Sequence, residues 1–276
     1  MQEIGCGSFR LPQFFVLEAE EMRRLQKEKL FLSTIDPKAS DFAARFGIGL
    51  EIAEYCTAYN MDQYFEGTDV SVRQKLEGIT HRVFHAPFNE LFPCAIDPKA
   101  RALAADRYLQ AITLALQYGA KKIVIHSGYA PSFYYDCWFE EQSAIFWKQF
   151  LQQIPDDICI CLENVLETQP EPLLHILEAV ADPRLQICLD VGHAHTYSNR
   201  PVEEWLQVLS PYISHFHIHN NHREYDSHSH LFEGSIQMKE LLLQALGLCL
   251  EATFTLEVPD AEPDLNWLVM EKMLGS

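Results

Sequence analysis

Short apolar runs rich in β-branched residues recur along this chain, separated by longer stretches whose apolar residues fall at helical spacing. That alternation predicts repeated βα units around a parallel sheet. Candidate strands are KLFLST (29–34), GIGLEIAEY (47–55), HRVFHAPF (81–88) and KIVIHSG (122–128) in the first half. ICICLENV (158–165), LQICLDVGH (185–193), ISHFHIHNN (213–221) and TFTLEV (253–258) follow in the second. Helical spacing runs over 98–118, ending at Gly119, and again over 171–181, 202–209 and 236–246. Eight strands with helices between them favour a closed (β/α)₈ TIM barrel, α/β in class, over a doubly wound sheet. Residues 29–276 form the expected barrel domain, and 1–28 an extension whose helix, over 17–28, would cover one barrel end.

Side chains alternate faces along a strand, so each strand's bulky apolar face identifies the residues that point into the barrel. In ICICLENV, Ile158, Ile160 and Leu162 share the helix-facing side, which turns Cys159, Cys161 and Glu163 inward. By the same parity Asp190 on LQICLD, Glu257 on TFTLEV, His126 on KIVIH and His215, His217 and His219 on HFHIH face inward. His85, from VFHAPF, makes a sixth strand with a metal-competent group near its C-terminal end, the end at which barrel active sites assemble. Several inward carboxylates would repel one another unless a cation or protons neutralised them, so the constellation points to a bound metal. His215 and His219 flank His217 and suit a structural or hydrogen-bonding role. His81, His175, His195, His222 and His230 read as surface residues or as partners of site residues. SFYYDCWFEEQ (132–142) suits either a substrate mouth or the amphipathic start of a helix.

Composition narrows the partners. A formal net charge of −18 opposes attraction to a polyanion, which disfavours nucleic acid. No apolar run approaches the ~20 residues that span a bilayer, and the opening residues lack the basic-then-apolar order of a signal peptide, so a cytoplasmic protein without membrane contact is expected. Eight Cys without a C-x-x-C pair read as reduced core residues.

The ordered motifs His85-Ala86-Pro87, His126-Ser127-Gly128, Leu162-Glu163-Asn164, Leu189-Asp190-Val191-Gly192-His193, His217-Ile218-His219-Asn220-Asn221, Asp226-Ser227-His228 and Leu256-Glu257 make the chain resemble the xylose isomerase-like barrel superfamily over about 31–258. That superfamily includes sugar isomerases and epimerases and the endonuclease IV type of phosphodiesterase. Its epimerase-like branch implies one divalent ion, Mn²⁺, Co²⁺, Mg²⁺ or Zn²⁺, held by Glu163, Asp190, His217 and Glu257. There Glu163 and Glu257 would also move protons, while His193, with His85 and His126, would contact a small sugar-like substrate. The endonuclease IV-like branch implies a trinuclear zinc cluster that adds His85, His126, His193, Asp226 and His228.

Departures from that second branch are specific. Leu32-Ser33-Thr34 stands where a Gly-x-His motif opens the first strand, His219-Asn220 replaces Asn-Asp, and Phe232-Glu233-Gly234 replaces Gly-Glu-Gly. These changes alter the loop beside the metal, so the roles of Asp226 and His228 stay open in either branch. The first expectation is a divalent-metal-dependent isomerase or epimerase acting on a small sugar or related hydroxy-carbonyl compound through an ene-diolate. A zinc-dependent phosphodiesterase is second, and a non-catalytic sugar- or metal-binding barrel third. Barrels of this kind often pair, so a homo-oligomer is compatible with the sequence.

Overall fold

A computed structural model describes residues 24–275 of the chain. Among them, eight parallel strands form the wall: β1 (Leu30–Ser33), β2 (Gly49–Ile52), β3 (Arg82–His85), β4 (Lys122–His126), β5 (Cys159–Glu163), β6 (Leu185–Asp190), β7 (Ile213–Ile218) and β8 (Thr253–Leu256). Each pairs with the next, and β1 pairs with β8 as well as with β2, so the sheet closes into the expected barrel and the doubly wound alternative falls.

Ten α-helices among the described residues surround the strands. They are α1 (Ala39–Phe46), α2 (Ala58–Met61), α3 (Phe65–Lys75), α4 (Pro98–Gln117), α5 (Asp136–Phe150), α6 (Glu171–Val180), α7 (Val191–Tyr197), α8 (Val202–Leu209), α9 (Met238–Leu248) and α10 (Glu262–Met270). Helix α4 starts where Asp97 accepts a bond from the Lys99 amide at 2.8 Å and Pro98 occupies the first turn. It ends at Gly119, whose φ of 73° is left-handed.

Outward strand residues such as Leu50, Ile52, Ile160, Leu162, Leu189 and Phe254 join the main core under the helices. Phe31, Val83, Val124, Cys161 and Cys188 form a separate apolar layer inside the barrel. Below that layer Lys122 donates to Ser214 O at 2.6 Å and to Thr253 Oγ1 at 2.7 Å, a polar plug at the strands' N-terminal end.

Two expectations need correction. Strand six stops at Asp190 rather than continuing to His193, because the Asp190 side chain caps α7 by accepting from the His193 amide at 2.6 Å. The expected 17–28 helix lies largely outside the described residues. In its described part, Leu25 makes a β-bridge to Leu274 and Lys27–Lys29 form one 3₁₀ turn instead of an α-helix. No helix among the described residues is long and apolar enough to cross a membrane.

Candidate metal centre

His85 ends β3, His126 ends β4, Glu163 ends β5, Asp190 ends β6, and Glu257 follows β8, so all five reach the C-terminal mouth. A cavity of about 450 Å³ opens there, bordered by His85, His126, Glu163, His193, Asp226, His228 and Glu257. Ile35, Ala53, Cys56 and Phe88 supply a second, mostly apolar side. Phe88 stacks on His126 with ring centres 4.2 Å apart.

His217 is fully buried behind these residues. Its Nδ1 is 3.3 Å from Glu163 Oε1, 3.4 Å from Glu257 Oε2 and 3.7 Å from Asp190 Oδ2. Glu163 Oε2 in turn is 3.3 Å from both His85 Nε2 and His126 Nε2. A further group stands beside these: Asp226 Oδ2 is 3.0 Å from His228 Nε2 and 3.3 Å from His193 Nε2. The structure thus brings together every metal and substrate residue singled out above, in two adjoining halves.

Backbone and amide contacts aim the donors. Asn164 donates to Asp190 O and accepts from the Asp190 amide, each at 2.9 Å, which ties the ends of β5 and β6 together. His85 Nδ1 donates to Ala86 O at 2.8 Å, and His228 Nδ1 donates to Glu257 O at 2.7 Å. Both rings therefore present Nε2 to the site.

Several of these atoms suit a cation better than one another. Glu163 Oε2, His219 Nδ1 and Asp226 Oδ1 are buried without a hydrogen-bond partner. Unpartnered buried polar atoms are costly. Donors around an ion at about 2.1 Å stand roughly 3.0–3.4 Å apart, which matches most of the spacings above. Triads such as His85, His126 and Glu163, or His193, Asp226 and His228, each converge within 4.8 Å. Mixed imidazole and carboxylate donors fit a divalent ion of the Mn²⁺, Co²⁺, Mg²⁺ or Zn²⁺ kind.

Protons take up the charge when no cation is bound. Burial works against ionising Glu163, yet the imidazoles of His217 and His193 hold its carboxyl well below the usual range. Burial likewise opposes charge on His193, but Asp190, Asp226 and Glu163 raise its pKa well above the ordinary value. His217 is raised too, against burial, by Cys188, Glu257, Glu51 and Glu163. Burial dominates at His126, which falls to about 3 and stays neutral. Burial also raises Glu257, with Glu51 and Glu163 adding to it.

Other expected roles sort out plainly. His215 donates into a buried network, with Nδ1 2.6 Å from Thr253 Oγ1 and Nε2 3.0 Å from Glu51 Oε2. His219 Nε2 is 3.2 Å from Asp190. His195 pairs with Ser235 and His230 with Asp264, both at 2.7 Å. In 132–142 the chain turns and then enters α5 at Asp136; Phe133 and Tyr135 are exposed, and none of these residues borders the cavity.

One residue beneath the site was not singled out in the sequence: Glu51 of β2, fully buried and bonded to His215, His217 and Thr255. Its signal was available, since Leu50 and Ile52 occupy the outward face and parity turns Glu51 inward.

Comparison with known proteins agrees with the architecture. Residues 48–270 match a family model described as xylose isomerase-like TIM barrel. An uncharacterized protein of Methanocaldococcus jannaschii is 34% identical over 175 residues, 58% of each chain, so this chain spans little more than half the length of that relative. Among solved structures, a D-tagatose 3-epimerase-like protein is similar at TM-score 0.68 and 24% identity, covering 88% of this chain and 96% of that one. A Thermus thermophilus protein soaked with zinc chloride is similar at TM-score 0.70 and 24% identity, over 88% of this chain and 97% of that one. Endonuclease IV from the same organism follows at TM-score 0.56 and 17% identity, over 90% and 97%. At such identities the likeness shows the fold, and the match over 48–270 shows the family: this chain belongs to the xylose isomerase-like TIM barrels.

Proposed function

We propose that this chain is a divalent-metal-dependent isomerase or epimerase acting on a small sugar or related hydroxy-carbonyl compound. The observation that carries the reading is the convergence of Glu163, Asp190 and Glu257 on one imidazole nitrogen, His217 Nδ1, at 3.3–3.7 Å. Those four residues would hold the ion. When bound, it would supply Lewis acidity that polarises a carbonyl and its neighbouring hydroxyl and so acidifies the adjacent C–H.

The chain's own residues account for the proton movements. Glu163 at the end of β5 and Glu257 after β8 approach the cavity from strands three positions apart around the barrel. One carboxylate can take the C–H proton from one side of the substrate, giving an ene-diolate, and the other can return a proton from the opposite side. Epimerisation needs both sides. His193, His85 and His126 border the same cavity and can hydrogen-bond substrate hydroxyls, while Phe88, Ile35 and Ala53 offer an apolar wall.

Among the described residues that line the cavity there is no Lys or Arg. With the net charge of −18, this favours an uncharged polyhydroxy substrate over a polyanion. A homo-oligomer is compatible with the reading.

Glu163→Gln tests it: turnover on a ketose and aldose panel should fall at least about a thousandfold while the fold is retained. Unchanged turnover would sink the assignment. The second reading, a zinc-dependent phosphodiesterase, is favoured by one observation, the adjoining His193, Asp226 and His228 group. Two or more zinc ions per chain together with cleavage of abasic DNA would shift the assignment to it.

A further inference from the structure

Beneath His217 lies a buried network that a metal-holding role for His217, the reading above on which this inference rests, does not by itself require. Glu51 has no solvent exposure, and its two oxygens are shared among three donors. Oε1 is 3.0 Å from His217 Nε2. Oε2 is 3.0 Å from His215 Nε2 and accepts from Thr255 Oγ1 at 2.5 Å.

We infer that Glu51 is a positioning residue, which fixes the tautomer and tilt of His217 so that the Nδ1 lone pair faces Glu163, Asp190 and Glu257. An ionised carboxylate can only accept hydrogen bonds, so when His217 gives up a proton to a cation the nitrogen facing Glu51 keeps its own and Nδ1 is the one left bare. The reverse tautomer would aim an N–H into the space between the three carboxylates, where a cation would sit. Thr255 and His215 hold the Glu51 carboxylate in turn, and His215 is anchored at its far side by Thr253 at 2.6 Å. The chain Thr253, His215, Glu51, His217 therefore runs upward from the polar plug to the mouth. Both Glu51 oxygens are engaged by this network, which leaves the residue to act through His217. Carboxylates behind a ligating imidazole orient it and raise its basicity, and losing one costs 10–100-fold in metal affinity or activity.

The test measures Co²⁺ binding to metal-stripped full-length protein by competition with a chelating dye, alongside the visible spectrum of the Co²⁺ form and the melting point of the ion-free form. Glu51→Gln keeps an oxygen acceptor for His217 and Glu51→Ala keeps none. Expected affinities fall about tenfold for Gln and about a hundredfold for Ala, with a changed Co²⁺ spectrum and an ion-free melting point that does not track the loss. Thr255→Val, which frees one side of Glu51 without emptying the site, should give a smaller loss in the same direction and stands in if Glu51→Ala does not fold. Affinity in Glu51→Gln and Thr255→Val within threefold of the natural protein, or losses that simply follow ion-free stability, would overturn the assignment. If the natural protein itself binds no Co²⁺, the metal reading fails instead, so the two failures are separable.

Discussion

Gly192 offers a sharp test of how tightly the site is built. It is the second residue of α7, two positions after the capping Asp190, and its Cα faces the buried ring of His219. A methyl group placed there would overlap His219 Cε1, which lies nearer still than Nδ1 at 2.5 Å and Nε2 at 2.6 Å, whereas carbon needs about 3.5–4.0 Å. The ring cannot swing away freely: Nε2 is 3.2 Å from Asp190, and its face stacks on His228 with ring centres 3.9 Å apart. Gly192→Ala must therefore displace His219 by about 1.5–2 Å, roughly the shortfall from van der Waals contact. Overpacking costs about 1–3 kcal/mol, and breaking the buried His219–Asp190 bond adds a similar amount, for a total of about 2–5 kcal/mol. In a chain of this size that lowers the melting point by roughly 5–15 °C. Because Asp190 loses a partner, divalent-ion affinity should fall as well. Differential scanning fluorimetry and Co²⁺ titration read the two effects. Gly67→Ala in α3, where nothing lies within 4 Å of the added carbon, is the control and should be neutral or stabilising by up to about 1 kcal/mol. A Gly192→Ala protein that melts within about 2 °C of the natural one, with unchanged Co²⁺ affinity, would refute the packing argument.

Two further outcomes follow from the site's charge and shape. The pKa of His217 is raised above the ordinary imidazole value in the ion-free site, chiefly by the surrounding acidic groups against burial, so as a ligand it must give up a proton to an incoming ion. Apparent affinity should rise with pH between about 6 and 8, and calorimetry in buffers of different ionisation enthalpy should find about one proton released per ion near neutral pH; a flat profile would contradict this. Phe88→Ala removes an apolar wall without touching a carboxylate, so KM on the best substrate should rise about tenfold while kcat stays within a few-fold, and an unchanged KM would exclude Phe88 from substrate contact.

Much of the barrel was legible because each strand has a one-sided apolar face. In ICICLE that pattern alone turned Glu163 inward, and the same reasoning placed Asp190, His217 and Glu257 at the mouth. Strand ends were harder to read. LQICLDVGH is apolar past Asp190, and only the cap formed by the Asp190 side chain shows why the backbone turns helical at Val191. The segment after β2 was unreadable for a different reason. FEGTDVSVRQK forms α3 with Val72 as its one buried residue, so it has no apolar stripe to signal a helix. Glu51 was missed although its parity was readable, because it lies below the mouth where the other donors gather; Glu54, on the opposite parity and past the end of β2, pairs with Lys75 at 2.7 Å.

On the proposed reading, side chains from four separate strands hold one cation at the barrel mouth. The direct measurement is an anomalous difference map from crystals of the full chain soaked in Mn²⁺ or Zn²⁺. The expected result is a peak within about 2.0–2.6 Å of donor atoms from Glu163, Asp190, His217 and Glu257 together. No peak in that space, or one that leaves any two of the four outside coordination reach, would contradict it.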